Sequence, residues 1–218
     1  MKIAAVAWDI DGTLVDSEPL HLRALLAASK AAGVDLTDLP DTHFVGVNIN
    51  DVWRELEPRF AGRISNSAWL EYIESHYHTN ADELFPVSGA LDAVRAFSGM
   101  GLRQVAVSNS GRGIVDANLR ALGLTDLFEF SISLDDVTAP KPDPIPYALA
   151  AKRLDLDPAH ILAVEDSETG AKSAHAAGLP VAFVGRTKSS FSRFPISDLA
   201  TLPVQIDASP ILGRSRRA

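Results

Sequence analysis

KIAAVAWDIDGT, residues 2–13, decides how the chain is read. Its apolar part, Ile3 to Trp8, is too short for a membrane helix or for the apolar segment of a signal peptide. It stops abruptly at two acids and a glycine, which reads as a strand buried on both faces that feeds a loop. Asp9 and Asp11 flank one residue, and alternation in an extended chain points both carboxylates toward one place. Gly12 permits a tight exit, and Thr13 adds a hydroxyl and a backbone N–H beside it. A polar turn with an Asp cap accounts for these residues equally well, so the rest of the chain has to decide.

Comparable runs recur at RQVAVSN (103–109), FEFSIS (128–133), HILAVED (160–166) and LPVAFVG (179–185). Helical patterns separate them: SGALDAVRAFSGMG, RGIVDANLRALG, PIPYALAAKRLDL and TGAKSAHAAG, with Gly123 and Gly178 placed to end two of them. Such alternation predicts βαβ units: an α/β fold with a Rossmann-like parallel sheet, helices on both faces, and ligands bound at the strand C-termini. Residues 16–86 break the rhythm with three amphipathic helical stretches, LHLRALLAASKAAG, INDVWRELEPRF and SNSAWLEYIESHYH. The expected organisation is an α/β core of residues 1–15 and 87–218 interrupted by a helical cap domain of residues 16–86.

Composition narrows the chemistry. The 218 residues contain no cysteine, which removes disulfide scaffolds, thiolate nucleophiles and thiolate-bound zinc. A net charge of −8 argues against a general affinity for nucleic acid or anionic lipid. A soluble cytoplasmic protein that acts as a monomer on a small molecule is expected.

Three further stretches carry candidate chemistry. Ser108-Asn109-Ser110-Gly111 follows a strand and opens a helix, where hydroxyls and free N–H groups suit a phosphate; an ordinary cap at Ser110 fits too, but leaves Ser108 unexplained. Lys141 lies among alternating prolines, Pro140, Pro142, Pro144 and Pro146, that stiffen its loop. Glu165 and Asp166 end another strand, with Ser167 able to cap the next helix. Adjacent like charges about 5 Å apart repel by roughly 3 kcal/mol at an effective dielectric near 20. If the strand ends converge, Asp9, Asp11, Glu165 and Asp166 share one pocket with Lys141, and a divalent cation supplies the missing charge. Oxygen-only ligands favour Mg²⁺ over zinc.

In order and spacing, DIDGTLVDSE (9–18), SNS (108–110), KPDP (141–144) and EDSETG (165–170) resemble the four motifs of the haloacid dehalogenase superfamily. The resemblance covers about residues 3 to 186, with the helical insertion matching the family's C1 cap. It implies that Asp9 is the nucleophile that becomes an aspartyl phosphate, and that Asp11 protonates the leaving oxygen and later activates water. It further implies that Ser108 binds the phosphoryl group, that Lys141 bridges it to Asp9, and that Asp9, the Asp11 backbone carbonyl and Asp166 hold Mg²⁺ with Glu165 assisting. Trp8 stands where the family usually has Phe, and Gly170 where some members carry another acid.

Asp11 argues against dehalogenation, which has no ester oxygen to protonate, and Lys30 lies outside any motif of the lysine-dependent phosphonatases. The implied activity is a phosphatase for a sugar phosphate or similar small phosphorylated metabolite. Thr13, Asn109, His21, Gly46 and Asn48, with His43 as a further candidate, are expected near that substrate. A β-phosphoglucomutase-like enzyme is the nearest alternative, since His21 matches that group; but Val45-Gly46-Val47-Asn48-Ile49 lacks the Lys and Arg with which a mutase grips a second phosphate. A phospho-accepting module without turnover is the second alternative. The long helical insertion argues against it, because a lid implies a diffusible substrate.

Overall fold

The computed structural model describes residues 2–44, 47, 49–185 and 189–206. The chain forms two compact units, Met1–Asp16 with Phe85–Ala218, and Ser17–Leu84. The strands in chain order are β1 Ala5–Trp8, β2 Val15–Asp16, β3 Phe85–Pro86, β4 Arg103–Val107, β5 Phe130–Ile132, β6 Ile161–Glu165, β7 Val181–Val184 and β8 Phe194–Ile196. The helices of the Ser17–Leu84 unit are α1 Glu18–Ala31, α2 Ile49–Phe60 and α3 Asn66–Thr79; those of the other unit are α4 Ala90–Gly99, α5 Arg112–Ala121, α6 Ile145–Leu154, α7 Glu168–Ala176 and α8 Leu202–Gln205.

Six strands form one sheet in the order β5-β4-β1-β6-β7-β8, every neighbouring pair parallel. The expected α/β architecture is therefore present. β1 lies between β4 and β6, with Trp8 level with Ala106 on one side and Val164 on the other. The chain moves outward through β4 and β5, then returns to β1's other flank at β6. That reversal opens a crevice at the carboxyl ends of these strands, where doubly wound sheets bind ligands.

Each strand face is buried by different helices. Ala5, Ala7, Val105, Val107, Ile161 and Ala163 belong to one core cluster with Tyr147, Ala150, Ala151 and Leu154 of α6 and Ala171 and Ala174 of α7. On the alternate face Trp8, fully buried, meets Phe97 of α4 at a ring separation of 6.1 Å. The Trp8 indole donates to Gln104 Oε1 at 2.9 Å, and the Gln104 amide donates to the Val94 carbonyl at 3.0 Å. A buried glutamine is tolerable because both ends of its amide are bonded.

Two pairings were not foreseen. β2 and β3 form a short antiparallel ladder, Val15 opposite Pro86 and Asp16 opposite Phe85. β8 adds a sixth strand at the sheet edge, with a proline at its centre; three residues around a proline carry no readable periodicity, and an edge is where a missing N–H is tolerated.

The helical unit has its own core. Trp53 stacks on Phe60 at 5.2 Å and lies 5.4 Å from Trp69, with Ala24, Leu25, Ala28, Leu56 and Ile73 in the same cluster. Ser65 caps α3 by accepting from the Ala68 N–H at 3.2 Å. Among the described residues, no helix is long and apolar enough to cross a membrane.

Trp8→Phe removes the indole N–H together with part of the ring system, leaves Gln104 Oε1 without its donor beside a small cavity, and is expected to cost about 2–4 kcal/mol in urea unfolding. Combining it with Gln104→Leu should recover part of that loss, because both polar partners are then gone. A single substitution with no effect would show that the Trp8–Gln104 bond contributes nothing.

Candidate active site

Asp9 leaves β1 with its backbone N–H bonded to the Val164 carbonyl at 2.9 Å, and Ser108 leaves β4 with its N–H on the Ile132 carbonyl at 2.9 Å. Glu165 closes β6, and Asp166 follows it. The level strand ends thus deliver the acids and the serine to one edge. Lys141 arrives from the loop between β5 and α6, and its ammonium is buried with three acceptors. These are Asp9 Oδ1 at 2.7 Å, Glu165 Oε1 at 2.6 Å and the Val107 carbonyl at 2.8 Å.

Asn109 holds that lysine by its backbone. The Lys141 N–H donates to Asn109 Oδ1 at 2.8 Å, and Asn109 Nδ2 donates to the Lys141 carbonyl at 3.0 Å. Asn109 was expected beside the substrate, but both its side-chain polar atoms are committed to the loop. Ser110 was open to reading as a cap. Gly111 occupies the N-cap of α5 instead, and the Arg112 N–H donates to Asp135 at 2.7 Å. Ser167 does cap α7, accepting from the Gly170 N–H at 3.1 Å.

The freed Ser110 hydroxyl donates to Asp11 Oδ2 at 2.9 Å, as the Ser108 hydroxyl does at 3.1 Å. Asn118 Nδ2 donates to the other oxygen, Oδ1, at 3.0 Å. The described donors to Asp11 are thus neutral, whereas Asp9 faces Lys141 and other acids. Thr13 donates to Asp166 Oδ1 at 3.3 Å.

Asp9, Glu165 and Asp166 each offer a carboxylate oxygen within 4.8 Å of the others, and the Asp11 carboxylate lies outside this group. Glu165 is fully buried; besides Lys141, Tyr147 donates to its Oε1 and Ser167 to its Oε2 at 3.4 Å. Asp9 Oδ2 is buried with no hydrogen-bond partner among the described residues. Three carboxylates around one ammonium leave negative charge in excess. Burial and then the Glu165 charge push the Asp9 carboxyl up to about 7, and burial and then the Asp9 charge push Asp166 up to about 7. Burial alone would lower Lys141, but Asp9 and Glu165 hold its ammonium above the usual lysine range. An orphaned oxygen, uncompensated charge and an all-oxygen donor set fit a hard divalent cation such as Mg²⁺.

Two glycines make room for the acids. A β-carbon at Gly12 would fall 2.2 Å from Asp166 Oδ2, and one at Gly170 would fall 2.0 Å from Glu165 Oε2. Gly12 also has φ +85°, so both space and conformation demand glycine there.

The remaining expected contacts belong to the helical unit. His21 packs on Tyr77 at a ring separation of 4.7 Å, and His43 Nε2 meets Glu55 at 2.6 Å. Gly46 and Asn48 lie outside the described residues. Sequence reasoning missed Tyr147 and Asn118. Tyr147 sits in an apolar helical run, and nothing local distinguishes it from a core aromatic. Asn118 had a signal: it is a polar residue on the face of α5 that also carries Val115 and Leu122, all of them buried.

An acid-lined crevice at the carboxyl edge of a doubly wound sheet defines a class of α/β enzymes whose chemistry is done at the strand ends. The haloacid dehalogenase-like hydrolase model matches residues 3–178, and the chain belongs to that family. A phosphoglycolate phosphatase of Yersinia pestis is 34% identical over 186 residues, spanning 82% of this chain and 79% of that protein. Hexitol phosphatase B of Escherichia coli (strain K12) is 29% identical over 221 residues, 97% of this chain and 98% of its own. Among solved structures, CbbY from Rhodobacter sphaeroides in complex with phosphate matches in fold with a TM-score of 0.81 at 23% identity, covering 92% of this chain and 96% of that one.

The raised carboxyls give a pH test. With pKa values moved from 3.8 to about 7, the folded protein binds these protons more tightly than the unfolded chain does. Their stabilisation is complete below the unfolded value and is lost as pH rises through the folded one. In EDTA, Asp166→Asn should therefore gain melting temperature relative to the unsubstituted chain as pH rises across that window. A difference that stays flat with pH would show that Asp166 carries no such strain.

Proposed function

We propose that the chain is a Mg²⁺-dependent phosphatase that hydrolyses a small phosphomonoester, a sugar phosphate or similar metabolite, through an aspartyl phosphate on Asp9. The observation that carries the reading is Asp9 itself, with one oxygen held by Lys141 and the other buried without a partner. A carboxylate is a weak nucleophile, and phosphoryl transfer depends chiefly on alignment and charge neutralisation. The bond from Asp9 to phosphorus forms as the bond from phosphorus to the leaving oxygen breaks. Asp11 supplies the proton that oxygen takes. The Asp11 carboxylate then accepts a proton from the water that displaces Asp9 and releases inorganic phosphate.

Lys141 keeps Asp9 ionised and oriented and offers positive charge to the phosphoryl oxygens. Asp9 and Asp166 would hold Mg²⁺, with the Asp11 backbone carbonyl added by family resemblance, while Glu165 is largely occupied by Lys141 and Tyr147. When bound, the cation supplies charge neutralisation at the phosphoryl group. The Ser17–Leu84 unit is proposed as the cap that selects the substrate, because it enters the chain directly after the Asp9–Thr13 segment. The phosphatase names of the relatives support the reaction class, and their differing substrates leave the metabolite to experiment.

Phosphate release from a panel of sugar phosphates, phosphoglycolate, glycerol phosphate and p-nitrophenyl phosphate should require Mg²⁺ and stop with EDTA. Asp9→Asn should abolish turnover, and Lys141→Met should lower it about a hundredfold or more. Absence of release from every ester would defeat the reading, and interconversion of glucose phosphates would replace it with a mutase.

A further inference from the structure

Three of the described donors meet the Asp11 side chain, and they are not equivalent. Ser108 and Ser110 sit at the open strand end and both meet Oδ2. Asn118 comes from within α5, is fully buried, and meets Oδ1. Both serine hydroxyls can turn toward an arriving phosphate, since a hydroxyl rotates about its own bond. The Asn118 amide lies on a regular helix with its side chain packed in the core, so a substrate cannot recruit it.

We propose that Asn118 is the positioning residue for Asp11: its N–H holds Oδ1 and thereby fixes the rotation of the carboxyl, so that Oδ2 faces the strand end where Ser108 and Ser110 lie. At 3.0 Å the amide N–H holds one oxygen of the carboxyl and so limits its rotation. In the first step the phosphorus–leaving-oxygen bond breaks, the Asp9–phosphorus bond forms, and the Asp11 proton passes to the leaving oxygen. Asn118 acts through Asp11 and is not itself a reacting group.

This inference rests on the phosphatase reading, and leaving groups separate the two. An alkoxide must be protonated as it departs, whereas p-nitrophenolate leaves readily without a proton. The kcat/KM value reports steps up to departure of the leaving group, before water attacks. Asn118→Ala should therefore lower kcat/KM for the best alkyl ester of the panel at least about tenfold more than for p-nitrophenyl phosphate, part of what general acid catalysis contributes. Asp11→Ala should show the same bias more strongly. Equal losses with both esters would overturn the proposal while leaving the phosphatase intact, and a wild-type chain that hydrolyses neither ester defeats the phosphatase itself. If Asn118→Ala does not fold, Asn118→Ser, whose side chain falls short of Asp11, carries the same comparison. Failure of both to fold marks Asn118 as a core residue and overturns its positioning role.

Discussion

A lysine ammonium buried between two carboxylates is the constraint on which the rest of the site depends. Lys141 reaches Asp9 and Glu165 at once, and neither acid could remain buried as an anion without it. One cation does not balance three acids, however. In the reading proposed, the excess negative charge at Asp9 and Asp166 suits the site to a metal ion and, through it, to a phosphoryl group. The imbalance is thus functional in the reading proposed: a fully neutralised cluster would have nothing to gain from binding.

Holding that cluster takes support from several elements. Gly12 and Gly170 leave the volumes that the Asp166 and Glu165 carboxylates fill, so absence of a side chain is as specific a requirement here as presence of one. Asn109 anchors the lysine backbone, and Tyr147 donates to Glu165 with its ring 5.1 Å from the lysine nitrogen. The burial of Tyr147 and its acidic neighbours keep its phenol well above the usual range, so it serves as a donor throughout. Asp11 takes its described hydrogen bonds from Ser108, Ser110 and Asn118 rather than from Lys141, though its charge still acts on Asp9; in the reading proposed, the difference suits two aspartates with different tasks.

The strands and helices of the α/β unit were legible because their signals are local. Short apolar runs ended at acids or glycine, and helical stretches closed at Gly123 and Gly178, both with positive φ. The acids of the cluster were legible for a different reason: each ends a strand, and a parallel sheet aligns strand ends. What escaped were partners drawn from helix interiors. Asn118 and Tyr147 lie 107 and 18 residues from the acids they serve, and a side chain's bond across such a span leaves no periodic trace. The edge strand β8 and the β2–β3 ladder escaped because two or three residues are too few to show a period.

From the sequence alone came the order of elements, the interruption by helices, an all-oxygen set of candidate ligands and the residues that head the strand ends. These follow from polarity patterns and from what each side chain can bond. Only the tertiary structure decided which partner each group takes. It gave Asn109 to the lysine backbone, Ser110 to Asp11 rather than to the helix end, and Glu165 to Lys141 and Tyr147. Such choices turn on distances of a few tenths of an ångström, set by how strands and helices pack, and hydrogen bonds fall away steeply beyond that range.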